Sequence, residues 1–143
     1  MKIRNLIAVF FLIVLALGAY VYFFIYHKAH EDIYTAEPDI TITAEELYMA
    51  FQEDELSAND TYLGKIIRVS GTVLEVEVEN GGEISAIRLD VGEILDGVVC
   101  EMDRVYLRET GEIQPGDEIT LQGVCTGYLE DVILNRCGII DIE

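Results

Sequence analysis

The chain has 143 residues, room for one domain and a small appendage. Its formal net charge is −18, and every acid lies beyond residue 30, where 27 Asp and Glu face six cations, Lys65, Arg68, Arg88, Arg104, Arg108 and Arg136. Phosphate backbones are bound mainly by Lys and Arg that displace counterions, so a part carrying −21 argues against a polyanion or an anionic lipid surface as partner; the charge serves first as a solvated surface.

Leu6 to Tyr26, "LIAVFFLIVLALGAYVYFFIY", is 21 residues without a charge. At helical rise it reaches about 30 Å, the thickness of a hydrocarbon core. Lys2 and Arg4 precede it, and Glu31 and Asp32 follow soon after Lys28. That asymmetry predicts a cytoplasmic N-terminus and a domain on the extracytoplasmic side of the cell membrane. Tyr20, Tyr22 and Tyr26 sit at the outer end, where amphipathic rings favour the interface. Ala16 and Gly18 have the spacing of a signal-peptide cleavage site, but the apolar run continues to Tyr26, which suits an uncleaved anchor. The expected anchor covers residues 1–28, and residues 29–41, polar and containing Pro38, read as a tether.

The domain is expected over residues 42–143. Thr43 and Glu46 have capping-box spacing, which predicts a helix to about Glu53 with Leu47, Ala50 and Phe51 on its packed face. From Lys65 the period becomes two. Ile67, Val69, Gly71 and Val73 alternate with polar residues; then the parity flips to Leu74, Val76 and Val78, with Glu75, Glu77 and Glu79 on the other face. A bulge or sharp bend accounts for the flip. Asn80-Gly81 predicts a hairpin. Further strands are expected near Ile84 to Val91, Gly97 to Met102, Ile119 to Cys125 (after a Pro115-Gly116 turn) and Asp131 to Ile140. Residues 103–114 fit a short helix or a loop. Five strands with a strongly bent first strand predict a mainly β fold, a five-stranded OB-type barrel with one N-terminal packing helix and a single transmembrane helix before it.

Three blocks, "AEELYMAFQEDELSANDTYLGKIIRVSGTVLEVE", "VVCEM" and "GDEITLQGVCTGYLEDVILNRCGI", in this order resemble the tRNA-anti-like OB-fold family of small bacterial envelope proteins. They span about Ile42 to Ile140. The resemblance implies a fold related to anticodon-binding domains and an envelope location. It implies little about activity, since most members have none assigned. An uncleaved anchor would depart from the lipoprotein or secreted form of many members. The chain also lacks the basic, aromatic face of an anticodon binder.

Chemistry-bearing constellations are sparse. His27 and His30 fall beside the apolar run, far in sequence from Cys100, Cys125 and Cys137. No Cys-x-x-Cys spacing, P-loop, dinucleotide fingerprint or EF-hand loop occurs, so no catalytic, cofactor-binding or metal residue is assigned and no cofactor is expected. Tyr48, Tyr62, Tyr106 and Tyr128 could stack on a base or sugar, but read better as core-margin rings with wet hydroxyls. The three cysteines are candidate disulfide partners. With a turn over Gly127 to Glu130, Cys125 would face Val132 and lie about 16 Å along the strand from Cys137, whereas a disulfide needs Cα atoms within about 7 Å. A Cys125–Cys137 bond would need a hairpin centred on Asp131; Cys100–Cys137 is the alternative, and three packed thiols the third possibility.

The sequence thus predicts a membrane-anchored, extracytoplasmic binding or interaction module without catalytic activity. Its partner would be a protein or other envelope component, a cationic group or a neutral glycan. A single-stranded nucleic-acid binder is the alternative, and an enzyme with a site spread over loops the third reading.

Overall fold

The computed structural model describes residues 10–20, 22, 33–79, 82–94, 96–103 and 113–142. The chain forms two compact units, Met1–Asp32 and Ile33–Glu143. In the first, residues 10–20 are helical with exposed side chains. Among the described residues no helix is long and apolar enough to cross a membrane. The expected span of residues 6–26 lies partly outside them, as do His27, His30, Tyr106, Arg104 and Arg108.

The second unit begins with β1, Ile40–Thr43, whose alternating Ile and Thr pair in parallel with the start of β2. Thr43 then caps α1, Ala44–Glu53: its hydroxyl accepts from the Glu46 N–H, and the Glu46 carboxylate accepts from the Thr43 N–H. Ala44, Leu47, Tyr48 and Phe51 form the buried face of α1. A second helix, α2, Glu55–Tyr62, follows at once, capped by Asp54 accepting from the Ser57 N–H and hydroxyl. That hydrogen bonding holds the Asp54 carboxyl below its ordinary value. One packing helix was expected; α2 buries only Ala58, so it lacks the apolar stripe that marks a helix in sequence.

Five strands close the barrel: β2 Ile66–Val78, β3 Ile84–Leu89, β4 Val98–Met102, β5 Glu118–Tyr128 and β6 Val132–Ile142. β2 pairs antiparallel with β3, β3 with β4, and β5 with β6; β4 and β6 are parallel; β2 returns antiparallel to β5. This is the OB arrangement, with one long strand shared by both ends of the sheet. The bend in β2 is a register shift between Val73 and Glu75. It leaves Leu74 exposed, and the strand's inward parity resumes at Val76. Inside, Leu47 and Phe51 of α1 meet Ile67, Val69, Leu89, Leu121 and Leu134.

The segment read as a tether is described from Ile33 onward, and there it lies on the barrel. Ile33 is buried. The fully buried Gln122 amide donates to the carbonyls of Ile33 and Ala36, while its oxygen accepts from Arg68 Nε at 2.9 Å. The Asp39 N–H donates to the Ile66 carbonyl, and the Asp39 carboxylate accepts from the Ile66 N–H at 2.9 Å.

Candidate ligand-binding face

In OB barrels the outer surface of the second and third barrel strands, with the loops beside it, is the usual binding face. Here those strands are β3 and β4, flanked by β2. Register places two rows of side chains across the outside: Glu75, Arg88 and Val99, then Glu77, Ala86 and Glu101. The alternate positions Val76, Ile87 and Cys100 turn to the core. Among the described residues these two rows carry three carboxylates and one cation, and that cation is engaged. Arg88 donates to Asp131 Oδ1 in the β5–β6 turn and lies 4.0 Å from Glu75 Oε2. Asp131 Oδ1 also accepts from the buried Gly97 N–H at 2.7 Å. One carboxylate thus fastens the β5–β6 turn to β3 and to the start of β4. Asp131→Ala will leave the Gly97 N–H unpaired and cost about 1–3 kcal/mol in urea denaturation.

Where β2 and β3 meet their connecting hairpin, a groove of about 370 Å³ opens on this face. Its apolar floor is Ile84, Ala86 and Met102; Glu77, Glu79, Glu83 and Glu101 rim it. A larger cleft of about 500 Å³ lies where β1 runs into α1, lined by Thr43, Ser70 and Thr72 and by Glu45, Asp90, Glu118 and Asp141. Two of its acids are occupied locally: Asp90 accepts from the Gly92 N–H at 2.8 Å, and Asp141 from the Ile142 N–H at 3.0 Å. No group of three or more metal-ligating side chains occurs among the described residues.

The tyrosines pack against α1. Phe51 stacks on Tyr128 with ring centroids 5.7 Å apart and lies 5.9 Å from Tyr62. Tyr48 donates to Asp96 Oδ2 at 2.9 Å, and the Gln52 amide donates to both the Tyr48 and Tyr128 hydroxyls. These three rings belong to the core margin. Burial first, then the Asp96 carboxylate, pushes the Tyr48 phenol up to about 12 from 10.0. A raised pKa stabilises the fold while the phenol is protonated. That contribution is complete below pH 10 and is lost as pH rises towards about 12. The urea midpoint should fall over this interval, and Tyr48→Phe should flatten the fall.

The three candidate disulfide cysteines are all buried free thiols. The expected turn over Gly127 to Glu130 gives way to a tighter one. Tyr128 pairs with Val132, and the Leu129 N–H donates to the Asp131 carbonyl. Gly127 bulges within β5 at φ 132°, a left-handed conformation that suits glycine. Cys125 therefore lies opposite Leu134 rather than Val132 or Cys137. Cys100 and Cys137 are neighbours inside the barrel: Leu134 is the register partner of Cys100, and Cys137 Sγ reaches back to the Leu134 carbonyl at 3.4 Å. Burial, and then the Cys100 thiol, push the Cys137 thiol well above its ordinary value, and burial raises that of Cys125. Protonated and enclosed, Cys125 and Cys137 are poor nucleophiles.

Reading the sequence alone put Glu75, Glu77 and Glu79 on one face but missed Glu83 and Glu101, which reach the groove only through strand pairing. Asp131 and Asp96, which accept side-chain hydrogen bonds from Arg88 and Tyr48, carried no sequence signal beyond being acids near turns.

The sequence pattern of the tRNA_anti-like family matches residues 1–139. The chain belongs to that family. No curated protein matches it. Among solved structures, this tRNA_anti-like chain is similar to a lipoprotein from Klebsiella pneumoniae, described as a presumptive nucleic acid-binding protein. The TM-score is 0.51 and the identity 14%, over 69% of this chain and 91% of that one. It also matches the structure of yeast Stn1 and Ten1, with TM-score 0.44 and 12% identity, over 77% of this chain and 66% of that one. At 14% identity the likeness to the Klebsiella protein is one of fold.

Proposed function

We propose that this tRNA_anti-like protein is a membrane-anchored, extracytoplasmic OB-fold binding module without catalytic activity, and that its partner is another protein of the cell envelope with a cationic contact surface. One observation carries the reading: the outer β2–β3–β4 face is lined by glutamates, and the single cation among its described residues, Arg88, is committed to Asp131 and Glu75. A face of that sign attracts cationic groups and repels phosphate. The anchor rests on the uncharged run from Leu6 to Tyr26 and the flanking charge asymmetry.

Single-stranded nucleic acid is the second reading, favoured by the fold match to the Klebsiella lipoprotein and by that protein's description. Such binders combine a basic groove with stacking aromatics. Here Arg88 is engaged, and Tyr48, Tyr62 and Tyr128 are packed around α1.

Crosslinking in intact cells, followed by recovery of the full chain from detergent-solubilised envelopes, should yield one protein partner in stoichiometric amount. A mobility shift with single-stranded oligonucleotides at low salt, weakening as salt rises, would instead establish the second reading. Protease added to spheroplasts should degrade the domain; protection would overturn its extracytoplasmic placement.

A further inference from the structure

We propose that the groove at the β2–β3 hairpin is the docking site for an extended polypeptide segment bearing lysine or arginine, contributed by the partner protein. The inference rests on the binding-module reading and specifies its contact. Its basis is the row Glu77, Ala86, Glu101 across three adjacent strands. Directly opposed residues in neighbouring strands stand about 5 Å apart, so the two glutamates are separated by about 10 Å. Between them Ala86 contributes only a methyl, and the row becomes a trough with carboxylate walls. Ile84 and Met102 extend its apolar floor.

A lysine or arginine side chain matches such a surface in both of its parts. The aliphatic stem lies along apolar atoms, while the charged head stays among carboxylates and water. The groove, about 370 Å³, is at the lower end of the range for ligand sites, enough for a few side chains and no folded element. Three of its carboxylates are available: among the described residues, those of Glu77, Glu83 and Glu101 make no hydrogen bond or ion pair. The larger cleft beside α1 differs in that two of its acids, Asp90 and Asp141, are hydrogen-bonded to nearby backbone. Beside the trough, Val99 of β4 and Ile133 of β6 are register partners and only half-buried. They offer apolar contact that a polypeptide can use and a simple polyamine cannot.

The test uses the full chain in detergent micelles and a fluorescent nonapeptide alternating lysine and valine, with a glutamine-for-lysine peptide as control. Glu77→Gln with Glu101→Gln should weaken binding of the lysine peptide by about tenfold. Glu45→Gln with Glu118→Gln, which removes the same charge at the other cleft, should change it less than about twofold. Ala86→Leu, filling the trough without altering charge, should weaken binding while circular dichroism stays unchanged. Equal weakening by the two glutamine pairs would mean attraction to the overall negative charge. That would overturn the docking site and leave the binding-module reading in place. Failure of the peptide to bind would also overturn the site. If single-stranded oligonucleotide then binds the same preparation, the module reading falls as well.

Discussion

Leu134→Ala is expected to destabilise the domain by about 2–5 kcal/mol, the usual cost of truncating a buried leucine. Leu134 is fully enclosed, paired with Cys100 of β4 on one side and Cys125 of β5 on the other. It thus fills the core where the parallel and antiparallel ladders of β6 meet. Small domains are stable by only about 5–15 kcal/mol, so this one side chain accounts for a large share. Two residues further along β6, Arg136 is exposed at φ 56°, where the strand bulges. Arg136→Ala should stay within about 0.5 kcal/mol. Urea denaturation of residues 33–143 reads both. If Leu134→Ala were neutral, the barrel would have to collapse around the missing side chain, and the β5–β6 hairpin would not be the structural closure described here.

Gly123→Ala should be nearly as damaging for the opposite reason. A methyl group at Gly123 would overlap Cys137 Sγ and come within 3.0 Å of the Asn135 carbonyl oxygen. Cys137 is itself fully buried, so its sulfur has little room to retreat. Inserting a carbon into a packed core costs about 1–3 kcal/mol, and the upper end is expected because one of the crowded atoms is backbone. Cys137→Ala removes the sulfur, so the double variant should be more stable than the sum of its single losses predicts. Strict additivity would show that the sulfur is not the obstacle.

Much of this architecture was legible because it depends on local signals. The Thr43–Glu46 cap reads directly from four residues, and both hydrogen bonds form. The parity flip near Gly71 and Val73 announced the bulge at Leu74, and alternation gave five strands to within a few residues. What stayed hidden depends on distant partners. The four residues of β1 become a strand because β2 offers its backbone, and nothing in "ITIT" after Pro38 specifies that pairing. α2 is held by a cap and by its neighbours, without a stripe of its own. Gly127 looked like a turn residue and proved to be a bulge, which moved the turn and the position opposite Cys125. The groove was half visible: β2 supplied its glutamates to the eye, but only the β3–β4 pairing brings Glu101 beside Ala86.

The closed ladder also dictates an order of events during folding. The β2–β3 and β5–β6 hairpins join segments adjacent in sequence and can form within microseconds. The β4–β6 and β2–β5 ladders, by contrast, pair Val98 with Val132 and Ile66 with Val124, so each must first close a long loop of chain. Until both seams zip, β4 and β5 each expose an unpaired edge, the surface on which strands of other molecules add. The rate-limiting step should therefore be barrel closure, and refolding yield should fall with protein concentration before native stability is affected.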